Sequence, residues 1–303
     1  MKFLSSSLLA AVLLISGCFP KEEGIEPKPR NNTSVLIDAG VTKSDVAFYS
    51  LEQDSLVATT RADVWDFLFE EAEVKINQFR SLRVAEINDD WHNKLDTIGL
   101  VFSYLTNQNE KQWTLKPNQI YAVDYGVDKN FESLGLVKVM FEVDSEGTIT
   151  LWHSPVESAF ELVINVGKEG YYNLREQRFV ELPLESEYDI AFGKYTDYAI
   201  FPDEEADYLI YGAILGSASA VSLNNSFDDV TAEALDSLTF PSLKTTIGWD
   251  WKSYNLDAGA YTVEEDRTYV IKNRSGYYYK LRFVNFYNEN GVSGHPTFEY
   301  KLL

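Results

Sequence analysis

The 303-residue chain has few residues suited to bridging or metal chemistry: one cysteine, two methionines and three histidines. A single cysteine, Cys18, excludes a disulfide within the chain and a thiolate cluster for zinc or iron–sulfur. Basic residues are also scarce, since 26 Lys and Arg stand against 47 Asp and Glu, a net charge of −21. This charge repels phosphate backbones and anionic lipid, so we expect no nucleic-acid partner and no charge-driven membrane attachment.

Signatures of catalysis are missing as well. GxSxG, HExxH, Walker A and Rossmann glycine patterns do not occur in the sequence. Carboxylates are abundant, yet no spacing singles out one pair as a glycosidase dyad. We therefore expect a protein that is not an enzyme. The rival, an enzyme acting on polymers, requires a cleft with a perturbed carboxylate pair.

The amino-terminal residues 1–17 are typical of a bacterial lipoprotein signal peptide. Their apolar run from Leu8 to Ile15 is shorter than the roughly 20 residues that a membrane-spanning helix needs. The segment ends in LISGC at residues 14–18, which resembles a lipobox. We therefore expect cleavage before Cys18, lipidation of Cys18, and attachment to the outer membrane through its acyl chains.

Residues 18–42 are Pro-rich and polar, which is typical of a flexible tether. Lys21-Glu22-Glu23 lies close to the expected anchor and leaves two interpretations open. It is either a signal for export to the cell surface or an ordinary charged part of the tether.

Strand patterns dominate the remainder, because polar and apolar residues alternate from residue 45 onward. Aromatic residues make up 14% of the chain, and they suit pleated surfaces. Helical periodicity is weak, and Asp229 to Leu238 is the best helix candidate. Strands are predicted over 45–51, 55–59, 65–69, 73–77, 81–86, 118–124, 137–143 and 148–153.

One strand pattern occurs twice. Trp65-Asp66-x-x-Phe69 and Tyr188-Asp189-x-x-Phe192 are 123 residues apart (189 − 66), and the preceding segments repeat without a gap. We predict two related antiparallel β-rich modules in tandem with few short helices, a first repeat at 43–155 and a second at 156–303. The aromatic members are expected in the core, and the two aspartates are expected to hydrogen-bond to the backbone of a neighbouring turn.

The repeated strand, a carboxy-terminal block at 268–300 and IGWDWKSYNL at 247–256 together resemble the HmuY family of β-rich bacterial lipoproteins. The resemblance implies two HmuY-like modules and a lipid-anchored protein that binds haem at the outer membrane. It also implies partners: haem or a haem-carrying protein as the source, and an outer-membrane receptor as the destination. A haem with two protein ligands has no open position on iron, so such a site carries haem and does not activate oxygen.

The candidate axial ligands are His92, His153 and His295, and none of them lies at equivalent positions of the two repeats. Met140 lies within an apolar strand and is expected to fill the core. The segment 203–207 is acidic, whereas haem propionates favour basic or amide donors, so no ligand is transferred from the family. The alternative function is therefore a surface β module that has lost haem and binds a protein or a glycan.

Two further features favour structural roles. The acidic segment 203–207 lacks the spaced ligand pattern of a calcium loop, so no metal is expected beyond haem iron. Trp249, Trp251 and Tyr254 could form an aromatic platform for a sugar or a flat ring. Strand alternation would place both tryptophans on one face, and burial in the core is favoured because large aromatics dominate β-rich interiors.

Overall fold

The computed structural model describes residues 34–38, 43–106, 113–126, 132–155, 162–166, 169–200 and 205–303. The expected signal peptide, Cys18 and residues 203–204 of the acidic segment lie outside the described residues. In the described ranges no helix is long and apolar enough to cross a membrane.

Strands of 3 to 11 residues and three 3₁₀ turns make up the described fold, as the alternating sequence predicts. The helix predicted at Asp229 to Leu238 is only a 3₁₀ segment, Ala232–Ser237, without a side-chain N-cap. The other 3₁₀ segments are Ala62–Val64 and Glu185–Glu187. The strands are β1 Ser34–Leu36, β2 Asp45–Ser50, β3 Ser55–Arg61, β4 Phe67–Glu70, β5 Glu73–Ile76, β6 Arg83–Ile87, β7 Ile120–Asp124, β8 Leu136–Val143, β9 Ile149–Pro155, β10 Leu162–Val166, β11 Gly170–Asn173, β12 Arg178–Val180, β13 Ile190–Ile200, β14 Glu205–Leu215, β15 Ser219–Leu223, β16 Lys252–Asn255, β17 Ala260–Val263, β18 Thr268–Lys272, β19 Tyr278–Tyr287 and β20 Ser293–Leu302.

The sheets occur in matching pairs. Two five-stranded antiparallel sheets have the orders β10-β9-β8-β7-β6 and β1-β20-β19-β18-β15. Two four-stranded sheets have the orders β12-β11-β4-β5 and β14-β13-β2-β3, and β16 with β17 forms a separate hairpin. The fold class is therefore confirmed as mostly β and antiparallel.

The two repeats exchange strands. Hairpin β2–β3 of the first repeat pairs through β2 with β13 of the second, and hairpin β11–β12 of the second pairs through β11 with β4 of the first. Strand β10 likewise joins β9, and β1 joins β20. The prediction of two modules in tandem is therefore not confirmed, because strands of the two repeats pair with each other. The limits 43–155 and 156–303 stay a prediction.

Residues 34–38, expected as the end of the tether, are instead part of the fold. Ser34–Leu36 pair with Thr297 to Glu299, and the Ile37 amide donates to the Pro296 carbonyl at 2.9 Å. The reason is the apolar run Val35-Leu36-Ile37, which contributes Ile37, 2% exposed, to the core.

Two hydrophobic clusters fill the interior, one around each five-stranded sheet. Trp65 and Phe69 lie in the first, and Phe192 lies in the second, as expected from the repeat. Trp251 stacks on Phe283 with ring centroids 3.9 Å apart, so its burial is confirmed. Trp249 instead packs against the first cluster, whereas Trp251 belongs to the second. Both tryptophans lie in a turn before β16, so the alternation of a strand does not apply to them.

Candidate functional site

The repeated aspartates connect the two repeats. Asp66 Oδ2 accepts a hydrogen bond from the Leu174 amide at 2.8 Å, and Asp189 Oδ2 accepts one from the Leu51 amide at 2.7 Å. Burial raises the pKa of both aspartates, and for Asp66 the nearby Arg80 guanidinium opposes the rise. The expected hydrogen bonds to turn backbone are thus confirmed, and each aspartate holds the hairpin of the opposite repeat.

A pair of buried lysines also occupies matching positions. Lys138 Nζ donates to the Asn93 carbonyl at 3.0 Å and lies 4.5 Å from the Trp91 ring centroid. Lys280 Nζ donates to the Phe227 carbonyl at 2.6 Å and lies 4.5 Å from the same residue's ring centroid. In both repeats the lysine holds a loop across the outer face of a five-stranded sheet.

His92 and His153 lie in different surroundings. His92 is exposed on a loop, and its amide donates to Asp90 at 2.8 Å. His153 lies on β9 with 4% exposure, and its Nε2 has no hydrogen-bond partner. Burial lowers the pKa of His153, so the imidazole is neutral near pH 7. A neutral imidazole nitrogen of this kind has the chemistry that iron requires of a ligand.

His295 lies on β20, in the second five-stranded sheet. Its Nδ1 is 3.2 Å from Asp38 Oδ1, and burial lowers its pKa while Asp38 opposes the change. The three histidines thus lie on a loop, on β9 and on β20. Met140 is only half-buried, opposite Trp152, and so lies on the face of β8 away from the expected core.

The described residues fit haem only in part. His153 supplies one suitable donor, and the other two candidate histidines lie on other elements, a loop and β20. Among the described ranges there is also no group of three or more His, Cys, Asp or Glu arranged to hold a metal ion. The role of the three histidines as ligands stays a prediction.

A cleft of about 820 Å³ lies at the end of the first five-stranded sheet. Its apolar lining includes Leu95, Ile98, Leu136 and Pro155, and Ile98 is 88% exposed. Lys94 supplies a cation at the same cleft. His153 does not line it, but it precedes Pro155 by two residues and therefore lies on the same face of β9.

A second cleft, of about 420 Å³, lies beside the β4–β5 turn. Glu185 Oε2 accepts hydrogen bonds from Lys75 Nζ at 2.7 Å and Lys244 Nζ at 3.0 Å. Although burial opposes ionisation of Glu185, these two lysines lower its pKa. Burial, together with the charge of Glu185, raises the pKa of Glu70 to about 7.

This second cleft meets the condition set for the enzyme rival, a perturbed carboxylate pair. Glu185, however, is ion-paired with two ammonium groups, which reduce its basicity. The sequence did not single out these residues, because Glu70 and Glu185 are far apart in the chain and only the strand exchange brings them together.

The HmuY protein family matches residues 42–300, and none of the curated proteins matches the chain. Apo PinO from Porphyromonas gingivitis is 10% identical over 89% of this chain and 95% of its own, with a TM-score of 0.36. The apo HmuY analog TFO from Tannerella forsythia is 12% identical over 92% of this chain and 96% of its own, with a TM-score of 0.35. A structural likeness at this level says nothing about ligands. The family match spans most of the sequence, and the chain therefore belongs to the HmuY family.

Proposed function

We propose that this chain is a lipid-anchored, haem-binding protein of the HmuY type that works in haem acquisition at the outer membrane. The observation that carries the proposal is His153, a buried neutral imidazole with an unpartnered Nε2, two residues before a cleft of mixed apolar and polar lining in an HmuY-family chain. The chain acts as a carrier and not as an enzyme. Its haem comes from a haem-carrying protein and passes to an outer-membrane receptor.

The cleft at the end of β9 carries both apolar residues and a cation that a porphyrin could contact. Leu95, Ile98 and Leu136 provide apolar walls for the flat ring, and Lys94 provides a donor for a propionate. His153 Nε2 would hold the iron, which supplies a Lewis-acid site for the imidazole lone pair. His92 and His295 remain candidates for a second ligand.

Titration of the purified protein with haemin tests the proposal. We expect a saturable shift of the Soret band at one equivalent, in the oxidised or the reduced state. His153→Ala should abolish or displace the band, whereas one of His92→Ala and His295→Ala should leave it unchanged. Absence of saturable binding in both oxidation states would refute haem binding, and an unchanged band in His153→Ala would refute the assigned ligand.

Attachment through Cys18 is a separate part of the proposal. It rests on the lipobox-like sequence at residues 14–18 and on the membership of this chain in the HmuY family. Cells fed labelled palmitate should label the wild-type chain and not Cys18→Ala, and the wild-type chain alone should fractionate with the outer membrane. Protease added to intact cells then decides whether the chain faces the cell surface. Label retained by Cys18→Ala would refute the anchor.

The second candidate is a surface β module that has lost haem and binds a protein or a glycan. The observation that favours it is the distribution of the three histidines over a loop, β9 and β20, at positions that do not match between the repeats. A pull-down from outer-membrane extract distinguishes the two functions. A haem carrier should recover a receptor in a haem-dependent way, whereas a glycan binder should not.

A further inference from the structure

The internal repeat provides a control for the charged cleft beside the β4–β5 turn. At the interval of 123 residues, Glu70 corresponds to Gly193 and Glu185 to Ala62. Lys75 on β5 lies opposite Leu68, and the corresponding position on β14, opposite Ala191, is Ile214. The second repeat nevertheless forms the same hairpin start, since β13 pairs with β14 as β4 pairs with β5. The fold therefore does not require these three charged residues. Their presence in the first repeat calls for an explanation other than folding.

The carboxylate of Glu70 lies in an unfavourable position. Glu70 is 6% exposed, and its Oε2 has no hydrogen-bond partner. The nearest cation, Lys75 Nζ, is 4.0 Å from that atom, beyond hydrogen-bonding distance. Glu73 lies directly opposite in the β4–β5 register, where like charges destabilise a strand pair. A buried acceptor left without a donor carries its full desolvation cost, which a ligand could relieve.

The turn beside Glu70 is strained. Glu71 and Ala72 have φ values of 52° and 59°, in the left-handed region that favours Gly and Asn. Strained backbone and buried unpaired groups persist where the surrounding structure enforces them, and they concentrate at ligand sites. Three independent features therefore meet at one cleft: a buried carboxylate oxygen without a hydrogen-bond donor, a strained turn and charges absent from the matching repeat.

The charges of the cleft exclude simple ions as its ligand. A bare cation beside Glu70 would lie close to the Lys75 ammonium, and a bare anion beside Lys75 would lie close to Glu70 and Glu185. A neutral hydroxyl group avoids both penalties, because it donates one hydrogen bond and accepts others.

We propose that this cleft binds a neutral, hydroxyl-rich ligand, a sugar unit, with Glu70 accepting a hydrogen bond from one hydroxyl and Lys75 donating to another. Lys75 Nζ carries three N–H groups, and one of them already donates to Glu185. Arg274 and Ser217 extend the polar lining. The volume of about 420 Å³ lies within the roughly 300–1,000 Å³ typical of small-molecule sites.

The test uses the purified full chain and a panel of neutral sugars: the methyl hexopyranosides of glucose, galactose and mannose, and N-acetylglucosamine. Saturation-transfer NMR detects binding, and ¹³C NMR of the Glu70 carboxyl follows its titration. At least one sugar should bind saturably and should lower the pKa of Glu70, because a hydroxyl donor favours the ionised form. Glu70→Gln and Lys75→Gln should each weaken binding about tenfold, a typical loss for a hydrogen bond to a charged group.

The matched control is the variant Glu86→Gln. Glu86 is an exposed glutamate that pairs with Lys116 outside the cleft. This variant should leave sugar binding unchanged, and circular dichroism confirms that each variant is folded. No binding by any sugar of the panel, or equal binding by Glu70→Gln, would overturn the proposal. Saturable binding of calcium or inorganic phosphate that depends on Glu70, without sugar binding, would also overturn it. The Soret titration of Glu70→Gln should match the wild-type protein, so failure of haem binding and failure of this site are distinguishable.

Discussion

The two repeated aspartates should differ sharply in how much they stabilise the fold, although they hold matching hairpins. Asp66 Oδ1 is 2.6 Å from Arg80 Nη1, and Oδ2 accepts from the Leu174 amide at 2.8 Å. Asp189 accepts from the Leu51 amide, and no cation of the described residues pairs with it. An asparagine keeps one acceptor for the amide at either position but removes the partner of Arg80.

The magnitude follows from burial. The side chains of Asp66 and Arg80 are 1% and 12% exposed, so Asp66→Asn leaves a buried guanidinium without its counter-charge. Breaking a buried ion pair in this way costs about 3–5 kcal/mol. Asp189→Asn retains the main hydrogen bond and should cost about 1 kcal/mol. We therefore expect a difference of about 2–4 kcal/mol in the free energy of unfolding between the two variants.

Urea unfolding followed by circular dichroism measures both variants, and thermal unfolding should show a midpoint roughly 10 °C lower for Asp66→Asn than for the wild type. Arg80→Met supplies the double-mutant cycle. With Arg80 removed, the cost of Asp66→Asn should fall toward that of Asp189→Asn, giving a coupling energy of about 2 kcal/mol or more. Equal costs for the two asparagine variants, or an additive cycle, would refute the reasoning.

The remaining predictions concern buried charges. Because the pKa of Glu70 is raised from 4.5 to about 7, the stabilising contribution of its protonated form is full below pH 4.5 and is lost as pH rises through about 7. Glu70→Gln should therefore gain stability relative to the wild type between pH 5 and pH 8 in urea unfolding, and a constant difference would contradict this. Burial lowers the pKa of Lys252 from 10.5 to about 7, so its neutral form stabilises fully above pH 10.5 and that contribution is lost as pH falls through about 7. Lys252→Met should abolish the corresponding loss of stability between pH 10 and pH 7, measured in the same assay. Lys138→Met and Lys280→Met should each cost about 1–3 kcal/mol by thermal unfolding, and a cost in only one would contradict the equivalence of the two loop contacts.

The repeated strand was predictable because its side chains follow local rules. Aromatic residues alternating around Asp66 indicate a strand with a buried face, and the same pattern at Asp189 indicates a duplicated unit. The hydrogen bonds of both aspartates to turn backbone followed from the same reading. What the local pattern does not contain is the identity of the partner turn. Leu174 and Leu51 belong to the opposite repeats, and exchanged and unexchanged pairings satisfy the same alternation.

The sites were less predictable, because they depend on that exchange. Glu70 and Lys75 come from the first repeat, and Glu185 comes from the second, so no sequence window contains the cleft. The burial that leaves His153 neutral depends on the packing around β9 and is not visible in the residues beside it. The alternation reading also failed for Trp249, since the chain turns there before β16 begins.

The duplication separates what the fold needs from what one copy has added. Residues present in both repeats, such as the aspartates and the lysines Lys138 and Lys280, contact backbone of a neighbouring hairpin or loop. Their geometry is that of structural contacts, and they are poor candidates for ligand binding. Glu70 and His153 differ from these shared residues. Each occurs in one repeat only, and each has a buried atom without a hydrogen-bond partner. Such an atom costs stability in every folded molecule, and a ligand that contacts it would offset that cost. Function in this chain is therefore to be sought where the two repeats differ.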